Sequence, residues 1–261
     1  MKISFASKSV QGKREENQDC TWGKVYRKPS GCIYAVGALA DGMGGLREGK
    51  RAAEMAIDVA KDALKNPPGK DTELVPWTEG LFRTAHKRIV AEGKELGITR
   101  GIGTTLVLVA VGFENVLVAH VGDSRCYRVR AGGAEQVTRD HTMLQEVMDV
   151  GLGKKEEIKP TSEYRGLAAT LVRGLGVGEN AQPDTRMFPR AEGEIFFMCS
   201  DGLSGSAVEP LVDCERLYEE LTRNKRLAPA LANLVKTAYE LGSSDNITAA
   251  AVELGTFTRA E

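Results

Sequence analysis

The sequence predicts an α+β protein in which antiparallel β-sheets are flanked by helices. Three observations carry that expectation. Apolar, strand-like runs are joined by short turns rich in Gly, Asn and Asp, which suit antiparallel pairs. Long amphipathic segments come in two consecutive pairs and do not alternate one by one with strands. No repeat, low-complexity stretch or linker interrupts the 261 residues, so one domain with a sizeable core is expected.

Taken in order, residues 2–7 alternate and read as a short strand. Residues 33–40 (IYAVGALA) form an apolar run that stops at Asp41-Gly42-Met43-Gly44-Gly45. Residues 48–65 read as a helix, because Ala52, Met55, Ala56, Val59, Ala60 and Ala63 recur at helical spacing. Asn66-Pro67-Pro68-Gly69 ends it. A second helix is expected over 76–96, with Trp77, Leu81, Ala85 and Ile89 as its stripe. Residues 104–111 and 116–121 then read as a hairpin. Gly122-Asp123-Ser124 is a tight turn, 125–130 a half-exposed strand, and 135–138 its partner, which together suggest a meander. Residues 143–150 suit a short helix, whereas 151–165 lack a period and read as a surface excursion. Residues 195–199 form a buried strand, 213–223 and 227–241 two helices, and 247–254 a closing strand.

Composition narrows the chemistry. The chain has 35 Lys+Arg against 36 Asp+Glu, a net charge of −1, which argues against a bulk electrostatic grip on nucleic acid. No run approaches the roughly 18 apolar residues of a membrane span, and the N-terminal stretch lacks the apolar core of a signal peptide. A soluble, cytoplasmic protein is expected. The five cysteines show no CxxC spacing, which disfavours a disulfide framework or a Cys-rich zinc site. Only 3 histidines leave little room for imidazole-rich metal sites, so any metal should be held by oxygen.

Four carboxylates occupy equivalent positions. Asp41, Asp123 and Asp201 each follow an apolar strand, and Asp245 immediately precedes one. In antiparallel sheets such strand ends share an edge, so the four could converge on one rim. A divalent cation would relieve their repulsion, and an oxygen-only ligand set suits Mg²⁺ or Mn²⁺. Singly, each Asp is an ordinary turn former. Arg14, in a charged loop with Asn17, Gln18 and Asp19, could supply a fork for a phosphate oxyanion. His120 reads as a core residue and His86 as a surface one. His141 could approach the rim or serve as a cap.

These residues fall into an ordered set of motifs: Arg14-x-x-Asn17-Gln18-Asp19, Ala40-Asp41-Gly42-Met43-Gly44-Gly45, Gly103-Thr104-Thr105, His120-Val121-Gly122-Asp123-Ser124-Arg125, Asp140-His141-Thr142, Ser200-Asp201-Gly202-Leu203 and Asp245-Asn246-Ile247-Thr248. With them the chain resembles the type 2C, metal-dependent serine/threonine protein phosphatases of the PPM family, in their compact bacterial form. The resemblance implies an αββα sandwich of two antiparallel sheets with helix pairs outside. It also implies a binuclear Mn²⁺/Mg²⁺ centre, with Asp41 bridging, the Gly42 carbonyl on one ion, and Asp201 and Asp245 on the other. Asp19 would hold metal-bound water, Asp123 would help bind a third, weaker metal, and Arg14 would bind phosphate. A metal-bridging water would attack phosphorus directly.

The resemblance further implies a flap at about 143–176 and phosphoprotein substrates of a serine/threonine kinase, and the protein is expected to be a monomer. One departure from some members is Met43, where they carry a histidine proposed as general acid. A thioether donates no proton, which leaves a metal-bound water, His141 or no acid at all. Two other functions stay open at this point: a non-catalytic phosphoprotein-binding module of the same fold, and a hydrolase of small phosphate esters.

Overall fold

The computed structural model describes residues 2–43, 48–98, 102–152, 159–179, 181–224 and 226–255. The strands and helices, in chain order, are β1 (Ile3–Val10), β2 (Cys20–Ser30), β3 (Ile33–Ala40), β4 (Gly42–Met43), α1 (Glu48–Ala63), α2 (Leu74–Glu95), β5 (Gly103–Thr104), β6 (Leu106–Val111), β7 (Asn115–Val121), β8 (Arg125–Arg130), β9 (Gly133–Gln136), α3 (Met143–Asp149), α4 (Ser162–Ala169), β10 (Asp184–Pro189), β11 (Glu194–Cys199), α5 (Asp201–Ser204), α6 (Cys214–Arg223), α7 (Leu227–Glu240) and β12 (Ile247–Leu254). One five-stranded sheet runs β1-β12-β11-β8-β9 and the other β10-β7-β6-β3-β2, while β4 and β5 form a separate two-stranded ribbon. All their pairings are antiparallel.

Three apolar layers hold these parts together. Between the sheets lie Ala35, Leu39, Val107, Val109, Phe196, Met198, Ala250 and Val252. The opposite face of β3, β6 and β7 is covered by α1 and α2 through Ala56, Ile57, Phe82 and Ile89. The opposite face of β11 and β12 is covered by α6 and α7 through Leu217, Leu231 and Leu234. The result is the αββα sandwich. It also explains the unbroken apolar strands: a strand with a sheet on one face and helices on the other has no side for polar residues. No helix among the described residues is long and apolar enough to cross a membrane.

Several expectations are corrected. Residues 104–138 are not one meander. β6 and β7 belong to one sheet, β8 and β9 to the other, and the turn 122–124 carries the chain across. Gly122 makes that crossing possible, with φ +99 and its α-carbon packed against the Thr105 side chain. β8 is also largely buried rather than half-exposed, because its arginines are neutralised. Arg125 pairs with Asp140 at 2.6 Å and Arg128 with Glu194 at 3.0 Å.

Two strands carry no apolar signature. β2 and β10 are the outer strands of one sheet, and edge strands hold charges and Pro without penalty. The excursion at 151–165 includes the start of α4, whose cap is Thr161 accepting from the Tyr164 N–H at 3.3 Å. Gly44, Gly45 and the excursion's residues 153–158 lie outside the described residues. The five cysteines are free thiols, and Cys32, Cys126 and Cys199 are buried.

One polar contact ties helix to sheet. The Asp71 carboxylate, ahead of α2, accepts 2.8 Å hydrogen bonds from the N–H groups of Phe113, Glu114 and Asn115 in the β6–β7 hairpin. Partial burial alone would raise its pKa, but these donors outweigh it and lower the value below 3.8. Asp71→Ala should therefore cost about 1–2 kcal/mol, a Tm loss of a few degrees in a thermal melt. A depressed folded pKa means this contribution is present above the unfolded value of 3.8 and fades as pH falls through the folded value. The wild-type advantage over Asp71→Ala should shrink in acid and persist at neutral pH.

Candidate metal centre

The acidic strand ends do converge. Asp41 follows β3, Asp123 follows β7, Asp201 opens α5 after β11, and Asp245 stands just before β12. All four line one cavity of about 610 Å³, together with Arg14, Gly42 and Met43. Asp19 sits beneath this rim and is buried.

Backbone and hydroxyl contacts fix the Asp41 and Asp123 turns and the Asp19 carboxylate. The Asp41 N–H donates to Thr105 Oγ1 at 3.0 Å, and its carbonyl accepts from the Thr105 N–H at 2.9 Å and Thr104 Oγ1 at 2.8 Å. Thr105 Oγ1 in turn lies 2.7 Å from Ser124 Oγ, so one hydroxyl pair links the Asp41 and Asp123 turns. Ser200 Oγ donates to Asp19 Oδ2 at 2.8 Å and receives the Thr248 N–H at 3.1 Å. Gly42 packs against the Gly49 backbone of α1 and the Gln18 carbonyl, where a Cβ has no room.

Sequence reading passed over Asn246 as a functional residue. Its Oδ1 accepts from the Gln18 N–H at 2.9 Å, and its Nδ2 donates to the carbonyls of Gln11 and Glu16 at 2.7 and 2.8 Å. The side chain thus clasps the loop that carries Arg14 and Asp19 onto the start of β12. The only sequence signal for this was the Asp-Asn pair itself.

Arg14 Nη2 donates to Asp245 Oδ2 at 2.6 Å, and its side chain is 58% exposed. Hydrogen bonding and attraction to Asp245, with further attraction from Asp201 and Asp41, keep the guanidinium charged. The other nitrogens of the fork have no partner among the described residues, so an incoming anion can be met there.

The carboxylates burden one another. Burial, then repulsion from Asp19, Asp201, Asp123 and Asp245, pushes the Asp41 pKa well above 3.8. Burial and repulsion from Asp201 and Asp140 push Asp123 up to about 8. Burial pushes Asp19 up to about 6, and burial and Asp245 raise Asp201. Asp19 Oδ1 is buried and has no hydrogen-bond partner among the described residues. A buried carboxylate oxygen without a donor, under a rim of oxygen ligands that repel each other, suits a divalent cation and its water shell. The site is compatible with such ions and has no imidazole or thiolate at its rim.

The histidines lie elsewhere. His120 is a buried core residue, its Nε2 2.8 Å from the Arg139 carbonyl. His86 is not simply at the surface: its Nδ1 accepts from the Gly176 N–H at 3.2 Å. His141 is buried below the rim, with Nδ1 on the Gly122 N–H at 3.1 Å and Nε2 towards Asp184 at 3.3 Å. Burial first, then His120 and Arg173, lower its pKa to about 4. Neither nitrogen reaches the cavity, which removes His141 as a general acid.

Comparison with known proteins gives the family and the fold. The protein phosphatase 2C family profile matches residues 8–249. A serine/threonine phosphatase, stp, of Listeria monocytogenes is 33% identical over 243 residues, covering 92% of this chain and 91% of that protein. The solved S. agalactiae serine/threonine phosphatase superposes with a TM-score of 0.85 at 28% identity, over 97% of this chain and 100% of the other. The catalytic domain of the phosphatase PstP, solved with 2 manganese ions, gives 0.79 at 28% identity over 97% and 98% of the two chains.

The raised carboxylates make the ion-free protein sensitive to pH. Asp123 keeps its proton to about pH 8 when folded, whereas the unfolded chain releases it near 3.8. The folded state thus binds more protons, and stability falls as pH rises. Below 6.5 the depressed His120 and His141 act in the opposite direction. In excess EDTA, Tm should therefore be lower at pH 8 than at pH 6.5, and Asp123→Asn should flatten the slope. Thermal melts at the two pH values check both outcomes.

Proposed function

The chain belongs to the protein phosphatase 2C family, and on that premise we propose that it hydrolyses phosphoserine and phosphothreonine in proteins at this acidic rim. The observation that carries the reading is the convergence of Asp41, Asp123, Asp201 and Asp245 around one cavity, beside a charged arginine fork and above an unpartnered Asp19 oxygen.

In this reading Asp41 would help to hold two divalent cations. The Gly42 carbonyl, Asp201 and Asp245 would supply the other protein ligands, and Asp123 would help to hold a third, weaker ion. Divalent cations, Mn²⁺ or Mg²⁺, would offset the carboxylate charge and lower the pKa of water for in-line attack on phosphorus. The remaining work falls to the protein. Asp19, held by Ser200, accepts a hydrogen bond from water through its free Oδ1 and orients it. Arg14 receives the phosphoryl oxygens and stabilises the charge that spreads over them in the transition state. The ion pair with Asp245 aims the guanidinium while leaving part of its fork open. Met43 lines the cavity and has no proton to give, so it does not serve as the acid for the leaving oxygen.

The same reading makes the whole chain one catalytic domain of a monomeric, cytoplasmic enzyme that opposes a serine/threonine kinase. The segment at about 143–176 is its flap, and α4 and Leu171 reach the cavity wall through Ala169 and Leu171.

Asp41→Asn or Asp201→Asn should abolish Mn²⁺-dependent hydrolysis of a phosphothreonine peptide while circular dichroism stays native. Arg14→Ala should lower kcat/KM about a hundredfold, as expected for losing one charge-stabilising donor. Full activity in excess EDTA would refute the metal-dependent reading. Stoichiometric phosphopeptide binding without turnover would favour a non-catalytic module, and preference for small phosphate esters a different hydrolase.

A further inference from the structure

His120, His141 and Asp184 gather at the root of the flap, outside the cavity, with ligand-capable atoms within 4.8 Å of one another. Their hydrogen bonds decide what they can do. The Gly122 N–H donates to His141 Nδ1 at 3.1 Å, so Nδ1 carries the lone pair and Nε2 the proton. Nε2 lies 3.3 Å from Asp184 Oδ2, within reach of its charge but out of line for a hydrogen bond. A cation at Nε2 would move the proton to Nδ1 and set donor against donor at Gly122. The group therefore works as a relay and not as a cation site.

The relay has two ends. At one, His141 grips Gly122 twice, since its own N–H also donates to the Gly122 carbonyl at 3.1 Å. Gly122 holds φ +99 and is followed directly by Asp123. At the other end is the flap. The His141 carbonyl accepts from the Val172 N–H at 2.9 Å, and Asp184 Oδ1 pairs with Arg173 at 2.7 Å. The His141 ring stacks on His120 with centroids 4.6 Å apart, which fixes its plane. Its 3% exposure isolates it from water.

We propose that His141, oriented by Asp184, is a positioning residue that fixes the Gly122–Asp123 turn and so sets the affinity of the cation held at Asp123, while Arg173 ties that affinity to the flap. This role rests on the cation assigned to Asp123 above. Outer partners of this kind are typically worth about 10–100-fold in metal affinity.

Stepwise Mn²⁺ binding to the full chain, followed by calorimetry, reads this without turnover. Asp123→Ala should remove the weakest step. His141→Ala should weaken that same step about tenfold and leave the tighter steps unchanged. His141→Asn, whose Oδ1 replaces the Nδ1 acceptor, should restore it. Asp184→Asn, a change at a half-exposed side chain, should weaken it several-fold. Amide exchange at Gly122 should quicken in His141→Ala and not in His141→Asn. If the weakest step is unmoved in His141→Ala and Asp184→Asn while Asp123→Ala removes it, the positioning role is overturned. If Asp123→Ala keeps every step, the cation assignment fails and the positioning role with it. Should His141→Ala not fold, Asp184→Asn decides.

Discussion

Repulsion between carboxylates is the constraint around which this fold is arranged. Asp19, Asp41, Asp123, Asp201 and Asp245 are brought together at one end of the sandwich, where water cannot fully screen them. Left to themselves they would drive the strand ends apart. They stay because backbone and hydroxyl contacts fix the turns around them: Thr105 and Ser124 join two turns, Ser200 holds Asp19, and Asn246 clasps the N-terminal loop. The strain is therefore electrostatic and local, and the three apolar layers sustain it.

Charge is treated differently a few residues away. Arg125 closes on Asp140 and Arg128 on Glu194, both in buried, multiply bonded pairs. Inside the sheets every such charge has a partner of opposite sign, as burial requires. At the rim Arg14 faces the carboxylates with its side chain half in solvent. The contrast separates structural charge from chemical charge. The protein neutralises what it needs for packing and leaves acidic oxygens open where ligands are to bind.

Much of this was legible in the sequence, for identifiable reasons. Strands buried on both faces announced themselves as apolar runs, and β3 and β12 match the expected spans to the residue. The carboxylates were visible because each abuts such a run. Edge strands β2 and β10 were invisible because nothing buries their outer sides, so Lys24, Arg27, Arg186 and Pro189 are tolerated there. The crossing at Gly122 could not be read either, since a tight turn looks the same whether the next strand pairs in the same sheet or the other. Asn246 and His141 act through several long-range hydrogen bonds, and no local pattern encodes a partner far away in the chain.

The place of β12 has a consequence for how the molecule is made. This strand, the last among the described residues, lies inside its sheet, between β1 and β11, and it brings Asp245 and Asn246 with it. Arg14 and Asp245 are 231 positions apart, and Asn246 reaches back 235 to Gln11. Contacts of such separation form late, because the loop they close must first be ordered. A ribosome-bound chain that has already exposed Asp41, Asp123 and Asp201 still has a gap in that sheet and an unclasped N-terminal loop. Synthesis thus withholds the finished site until β12 emerges, and a nascent phosphatase cannot act before that strand has paired.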